Sequence, residues 1–174
     1  MITSLKNITL LLSDFIDKIC KGLTILIVGI LVFIVLLQVV FRYILNMGLP
    51  WVDELSRYIN LWVAFLGASI GFKYSEHVGI SFFTNYLPKQ VFRIFKLLTN
   101  ILMMIFLCVA FYYSYNFVAT SRSITPAMQI SFKWPKASLF VGLGIMIIHL
   151  LSFIFKDLDD YTKDKLSVNS KEIS

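Results

Sequence analysis

The sequence predicts an all-α integral membrane protein: four transmembrane helices plus an N-terminal interfacial amphipathic helix, with both termini cytoplasmic. Three observations lead there. Of 174 residues 58% are hydrophobic, against 16 Lys and Arg and 10 Asp and Glu, and the mean hydropathy is +0.80. The apolar residues fall into four blocks, and the basic residues are distributed unevenly between them. A soluble domain is about half apolar with about a quarter of its residues charged, and a chain this small cannot bury the excess. A cytosolic enzyme, a disordered tail and a secreted disulfide scaffold are excluded at this level.

The elements follow in chain order. Residues 5–19 place Leu5, Ile8, Leu12, Phe15, Ile16 and Ile19 at helical spacing, with Lys6, Ser13, Asp14 and Asp17 elsewhere. That pattern predicts a helix lying on the inner leaflet within a cytoplasmic N-terminal segment, residues 1–21. The first apolar block, Gly22 to Phe41, carries no charge. It is long enough for a bilayer core of roughly 30 Å and lacks a following cleavage site, so it reads as a retained helix over about 22–43. The second block, Tyr58 to Phe72, has only 15 uncharged residues. Pro50 suits the first turn of a helix, and Asp53 and Glu54 suit its positive end. This helix is therefore expected over about 50–74, with its first two turns at the interface. The third block, Leu97 to Ser121, belongs to a helix over about 91–120, and the fourth, Ala137 to Phe155, to a helix over about 136–155. Residues 22–155 form the membrane domain, and 156–174 form a polar cytoplasmic tail expected to be mobile and solvated.

Counting Lys and Arg orients the chain. Lys6, Lys18, Lys21, Lys73, Lys89, Arg93, Lys96, Lys156, Lys163, Lys165 and Lys171 fall on one side. Arg42, Arg57, Arg122, Lys133 and Lys136 fall on the other. The basic excess marks the cytoplasmic side. The net charge of +6 is thus an orientation signal, and no nucleic-acid partner is expected. Cys20 and Cys108, 88 positions apart, make neither a disulfide framework nor a metal site.

Chemistry is sparse. No Asp, Glu, Lys or Arg lies in the middle of a predicted span, whereas a self-sufficient transporter places ionisable groups or broken helices there. Gln38, Asn60, Asn100 and Asn116 are the polar intruders, suited to bonds between helices. Gly67 and Gly71 form a GxxxG that allows close helix packing, within the chain or with a partner. There is no Walker loop, zinc spacing, nucleophile elbow or CxxC, so no catalytic residue, metal or cofactor is expected. The alternative to weigh is a membrane anchor of a redox enzyme with bis-His haem, for which only His77 and His149 are present.

The most informative stretch is FRYILNMGLPWVDELSRYINLW, Phe41 to Trp62. Asp53 and Arg57 are four apart on a helix and Glu54 and Arg57 three apart, so either acid can pair with Arg57. The cluster reads as a charge-neutralising anchor for two helix ends, or as a polar docking surface on the outer face.

This run, with the F-x-G-A-S that follows, resembles the small membrane subunit (DctQ type) of tripartite ATP-independent periplasmic (TRAP) transporters. Glu76-His77-Val78-Gly79-Ile80 and Leu87-Pro88 are similar to segments after that family's second helix. Ser123-Ile124-Thr125-Pro126-Ala127-Met128 is similar to its second outer loop, and Pro135 to the proline before its last helix. The resemblance runs in order from Gly22 to Phe155. Two departures stand out: Ile124-Thr125 replaces a shorter Ser-Pro, and Lys136-Ala137 stands where a glycine often follows Pro135. The resemblance implies an accessory permease subunit in the inner membrane. It would scaffold a large transport subunit and help dock a periplasmic solute-binding protein during sodium-driven uptake of an organic acid such as a C4-dicarboxylate or sialic acid. Arg42, Asp53, Glu54, Arg57, Arg122 and Lys133 then become docking candidates, from their side of the membrane and their charge.

Overall fold

A computed structural model of the chain describes the backbone of residues 2–84 and 89–172, and the side chains of 5–74, 91, 94–159 and 161–162. It comprises four helices: α1 (Ile2–Tyr43), α2 (Pro50–Thr84), α3 (Lys89–Ala119) and α4 (Lys133–Glu172). Three of them are long and apolar enough to cross a membrane, over Leu5–Tyr43, Ile94–Ala119 and Lys133–Asp159. Among the described residues α2 does not reach that hydropathy. Residues 85–88, hence Leu87-Pro88, and the side chains of Glu76 and His77 lie outside the described set.

The helices run up, down, up and down. Gln38 of α1 meets Asp53 of α2, and Asp14 meets Lys73, so these two are antiparallel. Lys6 of α1 reaches Asp159 of α4, and Lys96 of α3 reaches Asp157, so α4 is antiparallel to both. The start of α1 and the end of α4 therefore point to the same end of the bundle. From Asp53 to Lys73 α2 rises about 30 Å, the thickness of a bilayer core. α4 packs on all three other helices, while α2 and α3 barely meet.

Leu143, Leu150 and Phe153 of α4 form the apolar core with Leu107 of α3, flanked by Met103, Met146 and Phe72. Phe72 stacks on Phe153 at 6.2 Å, and Phe111 on Phe140 at 4.4 Å. Buried Ser69, Ser138 and Ser152 let the helices approach. Each of these hydroxyls donates to the carbonyl three residues earlier in its own helix, at 2.7 Å.

α1 differs from its expected form. No separate interfacial helix precedes a span: one helix of 42 residues runs through the junction. Its inward seam alternates by four and three residues: Ser13, Asp17, Cys20, Thr24, Ile27, Leu31, Ile34, Gln38 and Phe41, all buried or half-buried. That is the register of helices packed side by side. The amphipathic segment is turned inside out. Ser13 and Asp17 face the bundle, while Leu5, Ile8, Leu12, Phe15 and Ile19 are exposed. The cause is that α2 and α4 supply polar partners for that seam, so the apolar face is the one left outside. The other boundaries also differ. α2 continues to Thr84, so residue 77 lies in a helix rather than a loop, and α4 carries the expected tail onward as helix to Glu172. Past the end of α1, Asn46 takes the αL conformation (φ 53°), and the Met47 amide donates to the Phe41 carbonyl at 3.0 Å. This is a helix-terminating arrangement that asparagine tolerates.

The closest helix approach is not at Gly67 or Gly71. A Cβ at either would meet nothing within 4 Å. At Gly142, buried in α4, a Cβ would lie 2.8 Å from Phe65 Cβ and 3.1 Å from the Phe65 carbonyl oxygen. Gly142→Ala should therefore lower stability in detergent by about 1–3 kcal/mol. Gly67→Ala should leave it unchanged or raise it, because alanine is the better helix former. Thermal unfolding of the two variants side by side checks this; equal midpoints would remove Gly142 as the contact point.

Candidate docking face and the buried polar seam

At the end of the bundle away from the termini, the connection between α3 and α4 folds back as a small hairpin. The Thr125 amide donates to the Ile130 carbonyl at 2.9 Å, and the Phe132 amide to the Ser123 carbonyl at 3.1 Å. Ile124 and Ser131 form an antiparallel bridge. The tip is Pro126-Ala127-Met128-Gln129. Proline sets the first φ of such a turn, and Gln129 takes the left-handed conformation (φ 53°) that closes it. Thr125 is buried, and its hydroxyl accepts the Ile130 amide at 3.0 Å.

Glu54 lies beneath this tip, 3% exposed. One carboxylate oxygen accepts the amides of Ala127 and Met128 at 2.7 and 3.1 Å. The other accepts the Tyr58 hydroxyl at 2.6 Å. Glu54 sits in the first two turns of α2, ahead of the apolar stretch. Burial pushes its carboxyl pKa up, but donation from Tyr58, Thr125, Ala127 and Met128 outweighs that and holds it below the ordinary 4.5.

The expected pairing of Asp53 or Glu54 with Arg57 does not form. Asp53 takes the Gln38 amide, joining α1 to α2. Glu54 is committed to the hairpin, and Arg57 Nε donates only to the Asp53 carbonyl at 3.2 Å. Arg57 is left exposed, as are Arg42, Arg122 and Lys133. Arg42 lies 6.0 Å from the Tyr43 ring centroid, and Lys136 lies 4.0 Å from that of Phe117. The six docking candidates thus divide. Four cations face outward, Asp53 is exposed but occupied, and Glu54 is withdrawn. Of the helix-packing candidates, Gln38 serves Asp53, while Asn60 is exposed.

A second polar cluster joins α1, α2 and α4 toward the other end. Asp17 accepts from the Tyr74 hydroxyl at 2.9 Å and lies 3.0 Å from Lys21 and 3.4 Å from Lys73. Lys73 also donates to Asp14 at 2.7 Å and to the Ser13 carbonyl at 3.2 Å. Ser13 Oγ lies 2.7 Å from Nδ1 of His149, which is fully buried. Asn100 donates to Asp157 at 3.1 Å. Sequence reasoning missed this cluster. Its one signal was the four-three spacing of Ser13, Asp17 and Cys20, masked by a more conspicuous apolar stripe.

The haem-anchor alternative finds no support. His149 is enclosed between helices with its Nδ1 2.7 Å from the Ser13 hydroxyl, and the side chain of His77, the other histidine such a site would need, lies outside the described residues.

Two outcomes follow. Loss of Ser13 or His149 strands a buried polar partner at a cost of about 1–3 kcal/mol. Ser13→Ala and His149→Leu should each destabilise the protein, and the double variant should lose less than the sum; additive unfolding shifts would mean the two groups do not interact. The contribution of the Glu54 anchor is complete above pH 4.5 and is lost as pH falls through its lower folded-state value. The amide resonances of Ala127 and Met128 should therefore titrate together with a midpoint below 4.5. A midpoint at or above that value would contradict the cradle.

Comparison with known proteins places these features in a family. Residues 31–160 match the model for the DctQ component of tripartite ATP-independent periplasmic transporters. The chain is 38% identical to a TRAP transporter small permease protein of Haemophilus influenzae over 94 residues, 54% of this chain and 58% of that protein. It is 28% identical to the sialic acid TRAP transporter small permease protein SiaQ of Vibrio cholerae over 148 residues, 83% of this chain and 84% of that one. It is also 30% identical over 124 residues to the sialic acid TRAP transporter permease protein SiaT of Haemophilus influenzae, 70% of this chain but 19% of the longer protein. The Phe41–Trp62 segment, the hairpin and α4 as far as residue 160 fall inside the matched residues, and the chain belongs to the DctQ-component family of TRAP transporters.

Proposed function

We propose that the chain is a non-catalytic small permease subunit of the inner membrane. In this reading it scaffolds a large transport subunit and helps dock a periplasmic solute-binding protein during sodium-driven uptake of an organic acid. Both termini are cytoplasmic, α2 is the fourth span, and the hairpin end faces the periplasm. The observation that carries the docking role is the division of charge at that end. Arg42, Arg57, Arg122 and Lys133 are exposed while Glu54 is withdrawn. What remains outside is a basic rim suited to an acidic protein surface. A large partner is supported by SiaT, in which the stretch similar to this chain makes up 19% of a permease protein. The polar cluster near the termini suits a scaffold: Asp14 and Asp17 pair with Lys21 and Lys73 and so tie α1 to α2. Sialic acid and C4-dicarboxylates are the substrate classes to try, because relatives carry those names.

The test is reconstitution into proteoliposomes. The chain alone should take up neither sialic acid nor a C4-dicarboxylate. Uptake should require the large subunit and the binding protein together and should depend on sodium. Arg57→Glu should weaken capture of the binding protein by ~10-fold while the large subunit still co-purifies. Sodium-driven uptake by the chain alone would overturn the accessory role; unchanged capture in Arg57→Glu would overturn the docking role of that rim.

A further inference from the structure

From its geometry we infer that Glu54 is a positioning residue for partner docking: its carboxylate holds the hairpin between α3 and α4 in the conformation that presents Arg122 and Lys133. The inference rests on the docking reading above and assigns Glu54 a different part in it, that of an internal anchor rather than a contact.

Four features carry it. Glu54 is buried, so it is not available to a partner. Its three short hydrogen bonds come from one residue of its own helix and two amides at the hairpin tip. Those amides are 73 and 74 residues away in sequence, so the bonds fix the hairpin to α2 rather than stabilising it locally. The hairpin itself has only a single bridge and a few backbone bonds; so short a ribbon is marginal without outside support. Arg122 and Lys133 stand just before and just after its paired residues, Ser123 to Phe132. Their spacing across the outer face is set by whether it closes. A carboxylate suits this place because two adjacent amides at a turn form a concave donor site for an anion.

The experiment uses the chain assembled with its large subunit in nanodiscs and the purified soluble binding protein of the same system, with Glu54→Ala, Glu54→Gln and Arg57→Glu compared. Glu54→Ala should speed hydrogen exchange at Ala127 and Met128 by roughly ten- to a hundredfold, the loss expected for charge-assisted bonds. It should also weaken binding-protein capture about tenfold, with the large subunit still bound. Glu54→Gln keeps the side-chain size and an acceptor oxygen. It should shift both measurements in the same direction by less, and it serves if the alanine variant fails to assemble. Arg57→Glu should weaken capture with no change in exchange at the hairpin tip. Unchanged exchange in both Glu54 variants would overturn the anchor. Fast exchange with unchanged capture would overturn its role in docking, provided Arg57→Glu does weaken capture. If Arg57→Glu, Arg122→Glu and Lys133→Glu all capture normally, the docking reading itself fails, and this inference with it.

Discussion

A polar group buried among helices in lipid has no water to turn to and must find its partner inside the protein. That constraint orients the bundle. The seam of α1 carries Ser13, Asp17, Thr24 and Gln38 at four-three spacing, and docking α1 along that seam gives three of them partners on other helices. The apolar side of α1 then faces outward from Leu5 to Val40, where lipid or an apolar partner surface accepts it without cost. Helix association in membranes draws little from the hydrophobic effect. The small residues and hydrogen bonds between α1, α2 and α4 therefore matter more than the large side chains that dominate the composition.

The same constraint explains why segments far apart in sequence must occur together. Pro50 starts α2 and places Glu54 one turn in, facing the bundle. Thr125-Pro126-Ala127-Met128 forms a tip whose amides point at that carboxylate. Neither half is stable alone: an unpaired buried carboxylate is costly, and so short a hairpin has little to hold it. Together they close the end of the bundle away from the termini, where Arg42, Arg57, Arg122 and Lys133 stay exposed. The departure at Ile124-Thr125 finds a place here as well. Ile124 forms the bridge with Ser131, and Thr125 is buried with its hydroxyl on the Ile130 amide.

Close packing is decided in the same local way. Gly67 and Gly71 form the motif that spacing picks out, yet a Cβ at either would meet nothing within 4 Å. Gly142 carries the contact, because Phe65 and the α2 backbone at Phe65 lie directly against it. Spacing within one helix states that a smooth face exists. Which face meets a neighbour depends on rotations that only the partner helices supply.

Membrane residence, the helical class and the family resemblance are legible in the sequence. Each reflects a property of one local segment: transfer of apolar side chains into lipid, helical periodicity, a proline at a helix start. The placement of polar groups was not legible. The spacing of residues 5–19 predicts a polar face turned to water, and that of Asp53, Glu54 and Arg57 predicts a local ion pair. In the folded chain Asp17 turns to Tyr74 and Lys73, Glu54 to the hairpin, and Asp53 to Gln38. The sequence by itself determined a helical chain suited to a membrane. The tertiary structure alone decided which polar atoms meet, because that choice lies between residues dozens of positions apart and is made by helix rotation and register.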